Sequence, residues 1–170
     1  MGGERRHPLR GREATRLLRE FAQKYGVDAE GIFGSRPHVE VVETPAVHLY
    51  IVNGKPVLMR RGDLLLPTLA FERFLSGLPR VTVDMGAVPH ICNGADVMAP
   101  GVVQVSGEFD VGDLVAVVDE RYGKFLAIGH ALTPSRAFKA TRRGKVVKNL
   151  HYVGDGVWEL VKRFRGGQNL

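Results

Sequence analysis

In EATRLLREFAQKY (13–25), apolar side chains recur every third or fourth position: Ala14, Leu17, Leu18, Phe21, Ala22 and Tyr25. That is the period of an α-helix with one buried stripe, and Gly26 supplies a natural stop. The period then shortens to two. HVEVVE (38–43) and VHLYIV (47–52) read as strands, and Asn53-Gly54 supplies the φ > 0 pair of a tight hairpin that returns through KPVLMRR (55–61). In DLLLPTLAFERFLSGLP (63–79), Pro67 is expected to open a helix that buries Leu69, Phe71, Phe74 and Leu75 and ends at Gly77. Residues 1–78 therefore predict a compact α+β unit.

From Arg80 the pattern breaks into short apolar runs separated by glycine. RVTVD (80–84), DVMAP (96–100), DLVAVVD (113–119) and KFLAIGHAL (124–132) are candidate strands. NLHYV (149–153) and VWELVK (157–162) follow, joined by Gly154-Asp155-Gly156 as a second tight turn. Many short strands at this spacing predict a small barrel over 79–162. Trp158 is assigned to its core, since so small a barrel needs one large filler. RFRGGQNL (163–170) is expected to be a flexible tail.

Composition is that of a folded chain, with 44% hydrophobic and 25% charged residues among 170. No apolar run approaches the roughly 20 residues that span a bilayer. The charged start, MGGERRHPLRGREATR, lacks the apolar core of a secretory signal; His7 falls in this end, expected to be flexible. One cysteine, Cys92, excludes an internal disulfide framework and suits a reducing cytoplasm. Few Asn and Gln residues suggest a thermophilic source.

Net charge is +6, which makes nucleic acid the first partner to weigh and an anionic membrane surface the second. Its distribution is more telling. Between Arg121 and Gly154 there is no Asp or Glu, while Arg121, Lys124, Arg136, Lys139, Arg142, Arg143, Lys145 and Lys148 all fall inside. A solvated basic face is the plain alternative, but cations without balancing acids repel one another unless an anionic partner offsets them.

Catalytic motifs are lacking. There is no G-x-x-x-x-G-K-[ST], no G-x-G-x-x-G after a strand, no H-E-x-x-H and no paired C-x-x-C. His90, Cys92 and Asp96 fall close together, but a structural zinc site takes four Cys or His ligands, so no metal or other cofactor is expected. Cys92 reads as a small buried side chain, and His48 and His130 as packing residues within apolar strands. The chain does not read as an enzyme.

V-D-x-G-A (83–87 as V-D-M-G-A) followed by N-G-A-D-V-M-A-P-G-V (93–102) resembles the signature of the PUA domain, the RNA-binding module named for pseudouridine synthases and archaeosine transglycosylases. V-G-D-L-V-A-V-V (111–118), F-L-A-I-G (125–129) and N-L-H-Y-V-G-D-G-V-W (149–158) continue the match in order. Upstream, L-P-T-L (66–69) is similar to the translation-associated family of the malignant T-cell-amplified-sequence proteins and their yeast and archaeal relatives. Those join a pre-PUA domain to a C-terminal PUA domain. The resemblance implies an α+β pre-PUA domain (1–78), then a mainly-β six-stranded PUA pseudobarrel (79–162) with a short helix, Gly86 to Cys92, after its first strand.

It also implies an RNA groove lined by Asn93, Gly94, Ala95, Asp96, Val97, Met98, Ala99, Pro100 and Gly101, with the final strands on its other side. Gly94 and Ala95 are small enough for a phosphate or base to reach their backbone amides. His90 and Asn93 offer hydrogen-bonding edges, and Met98 an adaptable apolar surface. Chain geometry alone is the alternative role for Gly101 and, less strongly, for Gly94. Asp96 either holds the loop or reads a base edge. Lys139, Arg142, Arg143, Lys145 and Lys148 would grip phosphates beside the groove. Tyr152 is either core or a stacking platform. The function implied is a cytoplasmic, non-enzymatic RNA-binding protein of the translation apparatus. Its RNA would be rRNA or tRNA, with the small ribosomal subunit and a translation-factor protein as further partners and no membrane. Two alternatives stand beside it: an RNA-binding subunit acting in trans with an RNA-modification enzyme, and a scaffold whose basic stretch binds acidic protein or membrane.

Overall fold

The computed structural model of the protein describes residues 3–166. Close packing divides the chain into Met1–Phe74 with Leu160–Leu170, and Leu75–Glu159.

The first unit is a five-stranded antiparallel meander, ordered β1 (Arg5–Pro8), β2 (Val39–Glu43), β3 (His48–Val52), β4 (Lys55–Arg61), β5 (Leu64–Pro67). Helix α1 (Gly11–Tyr25) buries Ala14, Leu17, Leu18, Phe21 and Ala22, and Gly26 closes it at φ 66°. Phe21 is the hub of the core, with ring centroids 4.7 Å from Tyr25, 5.8 Å from Phe33, 6.0 Å from Phe71 and 4.9 Å from Phe74. The hairpin at Asn53-Gly54 forms as the sequence predicts, with φ 51° and 83°. The Asn53 amide braces it, accepting from His38 N–H and donating to the Phe33 carbonyl, both at 2.9 Å.

Three expectations fail in this unit. Pro67 does not open a helix; it ends β5, opposite Leu58 of β4. Leu65 and Leu66 are both fully buried, so LLLP carries no alternation, and a short apolar run of this kind cannot be told from helix by period. The helix shrinks to α3 (Glu72–Leu75), although Leu69, Phe71, Phe74 and Leu75 are buried as expected. The charged start is ordered from Arg5 on: β1 is an edge strand, with Arg6 paired to Glu40 and His7 Nε2 2.7 Å from Glu43. A short helix, α2 (Ala29–Phe33), was also unforeseen; Asp28 caps it by accepting from Gly31 N–H at 3.0 Å.

The second unit is a six-stranded pseudobarrel. Its strands are β6 (Arg80–Val83), β7 (Val97–Met98), β8 (Val102–Ser106), β9 (Leu114–Asp119), β10 (Phe125–Ala131) and β11 (Lys145–Tyr152), in spatial order β7-β11-β10-β9-β6-β8. All pairs are antiparallel except β6 with β9. Val81, Val83, Ile91, Val115, Val117, Phe109, Phe138 and Val147 belong to one core. The short helix after the first strand is α4 (Val88–Ile91), and two 3-10 turns cover Ala99–Gly101 and Ser135–Ala140.

VWELVK is not a strand. It lies in helix α5 (Gly156–Gly166), where Val157, Leu160 and Val161 are buried at the i, i+3, i+4 spacing of a helix face. Arg163–Gly166 continue that helix instead of fraying; residues 167–170 of the expected tail lie outside the described residues. Trp158 is only half-buried. The large fillers are Phe109 and Phe138, packed edge to face at 5.4 Å. Strand β8 was missed. His48 is exposed and His130 half-buried. No helix among the described residues is long and apolar enough to cross a membrane.

Candidate nucleic-acid interface

The stretch from Asp84 to Met98 is fastened at both ends. Asp84 accepts the Ala87 N–H at 2.9 Å, setting up the turn into α4. At the far end Asp96 accepts the Asn149 N–H at 2.8 Å and lies 3.2 Å from Lys145 Nζ. The Asn149 side-chain amide donates to the carbonyls of Ile91 (3.1 Å) and Ala95 (3.0 Å). Partial burial pushes the Asp96 carboxyl up, but the Asn149 N–H and Lys145 outweigh it and hold it below the usual carboxylate value. Asp96 therefore holds the loop. Asn149, not singled out from the sequence, is the other half of the latch; its only sequence signal is its place in N-L-H-Y.

The loop backbone differs from the expectation. The N–H groups of Asn93, Gly94 and Ala95 donate to the carbonyls of His90, Ile91 and His90 at 3.1, 3.0 and 3.0 Å. They satisfy the carbonyls that α4 leaves open at its end, so they do not face an incoming phosphate. Gly94 has φ 95°, and a Cβ there would stand 3.1 Å from Tyr152 Oη. The positive φ of the turn favours glycine here, and an added Cβ would also press on the tyrosine beneath it. At Gly101 an added Cβ would stand 3.3 Å from that of Ala87, a tight contact. Val97, read as a groove residue, is turned into the core because β7 pairs with β11 at Val147.

The side chains of His90, Asn93 and Met98 do face outward, Met98 at 47% exposure, and Ala95 and Pro100 are exposed. Lys145 stands opposite Met98 in the β7–β11 pair, and Gly144 accepts the Ala99 N–H at 2.9 Å. This register brings the Arg142-Arg143 loop beside β7. Arg142, Arg143 and Lys148 are exposed and make no ion pair among the described residues, whereas Lys145 is engaged by Asp96. Lys139 and Ala99 are placed differently. They line a groove of about 1170 Å³ with Val103, Glu108, Phe109 and Arg136. Tyr152 is half-buried under Gly94.

Burial pushes the Cys92 thiol up, away from the thiolate form a nucleophile needs. Among the described residues no three His, Cys, Asp or Glu side chains gather to hold a metal ion.

The chain is thus a two-domain protein in which an α+β unit accompanies a PUA-type pseudobarrel. Residues 79–153 match the PUA domain, and residues 5–72 match a domain of unknown function, DUF1947. Uncharacterized protein MJ1432 of Methanocaldococcus jannaschii is 34% identical over 159 residues, covering 92% of this chain and 96% of that one. Translation machinery-associated protein 20 of Saccharomyces cerevisiae is 28% identical over 154 residues, covering 86% and 84%. The crystal structure of hypothetical protein PH0734.1 from Pyrococcus horikoshii OT3 superposes with a TM-score of 0.77 at 39% identity, over 92% of this chain and 99% of that one. The chain belongs to the family that joins a DUF1947, or pre-PUA, domain to a PUA domain, the family of the malignant T-cell-amplified-sequence proteins.

Proposed function

We propose that the protein binds structured RNA on the face formed by α4, the Asn93–Met98 segment and the start of β11, and that it does so with the translation apparatus rather than as an enzyme. The observation that carries this reading is the arrangement around the Asp96–Asn149 latch. A latched loop presents His90, Asn93 and Met98, and Arg142 and Arg143 stand beside it with no ion pair among the described residues, with Lys148 exposed next to them. Phosphate contacts from those cations supply affinity and register, and the loop's polar edges supply selectivity. The name of the yeast relative, a translation machinery-associated protein, supports association with the translation apparatus; we place the protein on or near the small ribosomal subunit in the cytoplasm, alongside a translation-factor partner. Crosslinking the protein to RNA in its native cell, sequencing that RNA, and following the protein through a sucrose gradient test the reading. Recovery of rRNA or tRNA from ribosomal fractions supports it. Protein that stays with a catalytic RNA-modification subunit and off ribosomes would move the role to RNA modification.

A further inference from the structure

The turn between β9 and β10 is more rigid than a solvent loop requires. Asp119, at the end of β9, is 3% exposed. Its carboxylate accepts the N–H groups of Arg121 (2.9 Å), Tyr122 (2.5 Å) and Lys124 (3.1 Å), and its carbonyl accepts that of Gly123 (3.1 Å). Burial opposes its ionisation, but the amides of Tyr122, Lys124, Arg121 and Gly123 outweigh it, so the carboxyl sits below its ordinary value. Gly123 takes φ 64° to close the turn. Glu120 ties the turn to the segment leading into α4: its N–H donates to Val83 O at 2.9 Å, and its carboxylate accepts the Met85 N–H at 3.2 Å.

What this scaffold displays is Tyr122, 67% exposed, with Arg121 Cζ 6.0 Å and Lys124 Nζ 5.7 Å from its ring centroid. Both cations lie over the ring, but at the outer limit of cation–π contact, about 6 Å, so they are held loosely and a base that stacks there displaces them toward its phosphates. Tyr122 remains 67% exposed on an anchored backbone. An aromatic face between two cations has the chemistry of an unpaired nucleotide's counterpart, ring for base and cations for the flanking phosphates.

We propose that the Arg121–Lys124 turn is a second RNA contact, in which Tyr122 stacks on an unpaired base and Arg121 and Lys124 hold the phosphates on either side. The Glu120 bonds to Val83 and Met85 tie this turn to the segment that leads into α4, and the occupant proposed for it is a single-stranded extension of an RNA bound at the α4 face. The proposal rests on the RNA-binding reading above.

The test compares wild type, Tyr122→Ala, Tyr122→Phe and the Arg142→Ala/Arg143→Ala pair by fluorescence anisotropy. The probes are a labelled RNA hairpin carrying a single-stranded adenosine tail and the same hairpin with a blunt end. Tyr122→Ala should weaken binding of the tailed hairpin about tenfold, the scale of one lost base–aromatic stack. It should leave the blunt hairpin and the salt dependence unchanged, and Tyr122→Phe should bind like wild type. Thermal unfolding of Tyr122→Ala should match wild type, since the ring is exposed. Equal loss on both hairpins, or none on the tailed one while the arginine pair still weakens binding, would overturn the stacking contact and leave the RNA reading standing. Failure of wild type to bind either hairpin would remove the RNA reading, and this contact with it.

Discussion

His151, fully buried, places its Nδ1 2.8 Å from Oδ2 of Asp155. The same carboxylate accepts the Tyr152 N–H at 3.0 Å and the Trp158 N–H at 2.7 Å. Asp155 thus ends β11, caps α5 and partners a buried imidazole at once. H-Y-x-x-D-G-x-W is a folding device, and Trp158 contributes its backbone N–H to it.

Asp155→Ala should lower unfolding stability by about 2–4 kcal/mol, from the lost cap and the lost partner of a buried polar group. Burial opposes ionisation of Asp155, but the His151 contact and the backbone N–H groups outweigh it and lower its pKa. A carboxyl lowered on folding contributes fully above its unfolded pKa, and that contribution disappears as pH falls through the folded one. The wild-type advantage over Asp155→Ala in urea midpoint should therefore be constant near neutrality and shrink below the ordinary carboxylate pKa of about 3.9. An advantage that grew on acidification would show that the carboxylate is not the stabilising form.

Gly94 makes a sharper test of the loop. With φ 95° and Tyr152 Oη 3.1 Å from the position of an added Cβ, Gly94→Ala should destabilise by about 1–2 kcal/mol from backbone strain alone. Combining it with Tyr152→Phe removes the nearest atom. The double variant should be less destabilised than the two single effects added together, by more than the few tenths of a kcal/mol expected of independent sites. Additive effects in denaturant unfolding would mean the hydroxyl contact carries no energy.

Legibility in the sequence followed the range of the forces involved. Helix α1, the Asn53-Gly54 hairpin and β4 are set by period and turn chemistry among neighbours, and these could be read directly. Strand β1 hid because an edge strand needs no apolar face: Arg5, Arg6 and His7 pair with Glu40 and Glu43, across more than thirty residues. α5 was missed because its cap, Asp155, was read as a hairpin turn, although Val157, Leu160 and Val161 already had helical spacing. The face from α4 to Met98 was legible through its motif. Its latch was not, because nothing local joins Asp96 to Asn149, and a glycine-rich loop looks open until its N–H groups are traced to His90 and Ile91.

Gly129 predicts a larger effect than any loop change. It sits at the irregularity between Ile128 and Gly129 where β10 passes β11. A Cβ there would fall on the Lys148 carbonyl, with Val147 Cγ1 only 2.6 Å away. Backbone cannot yield as a side-chain tip can, so Gly129→Ala should destabilise by about 3 kcal/mol or more. Gly144→Ala is the control: unlike Gly129 it has positive φ (82°), but an added Cβ there meets nothing within 4 Å. Its loss should stay near the strain alone, about 1 kcal/mol. Equal melting temperatures for the two variants would mean the strands part easily at Gly129.

The cations of the interface should not contribute equally. In the free protein Lys145 is already 3.2 Å from Asp96, so RNA must compete with a carboxylate for it, while Arg142 and Arg143 make no ion pair among the described residues. Each phosphate neutralised releases counterions and adds about 0.9 to the slope of log affinity against log salt for a duplex, about 0.7 for a single strand. Arg142→Ala with Arg143→Ala should flatten that slope by about 1.4–1.8 units, weakening all RNAs by a similar factor. Lys145→Ala should change the slope by well under one unit, because it also frees Asp96 to repel phosphate. It should loosen the latch as well, an effect visible as lower thermal stability that the arginine pair would not share. Binding measured between 50 and 200 mM salt separates these outcomes. A full unit of slope lost with Lys145→Ala, and none with the arginine pair, would place the phosphates on β11 instead of the loop before it.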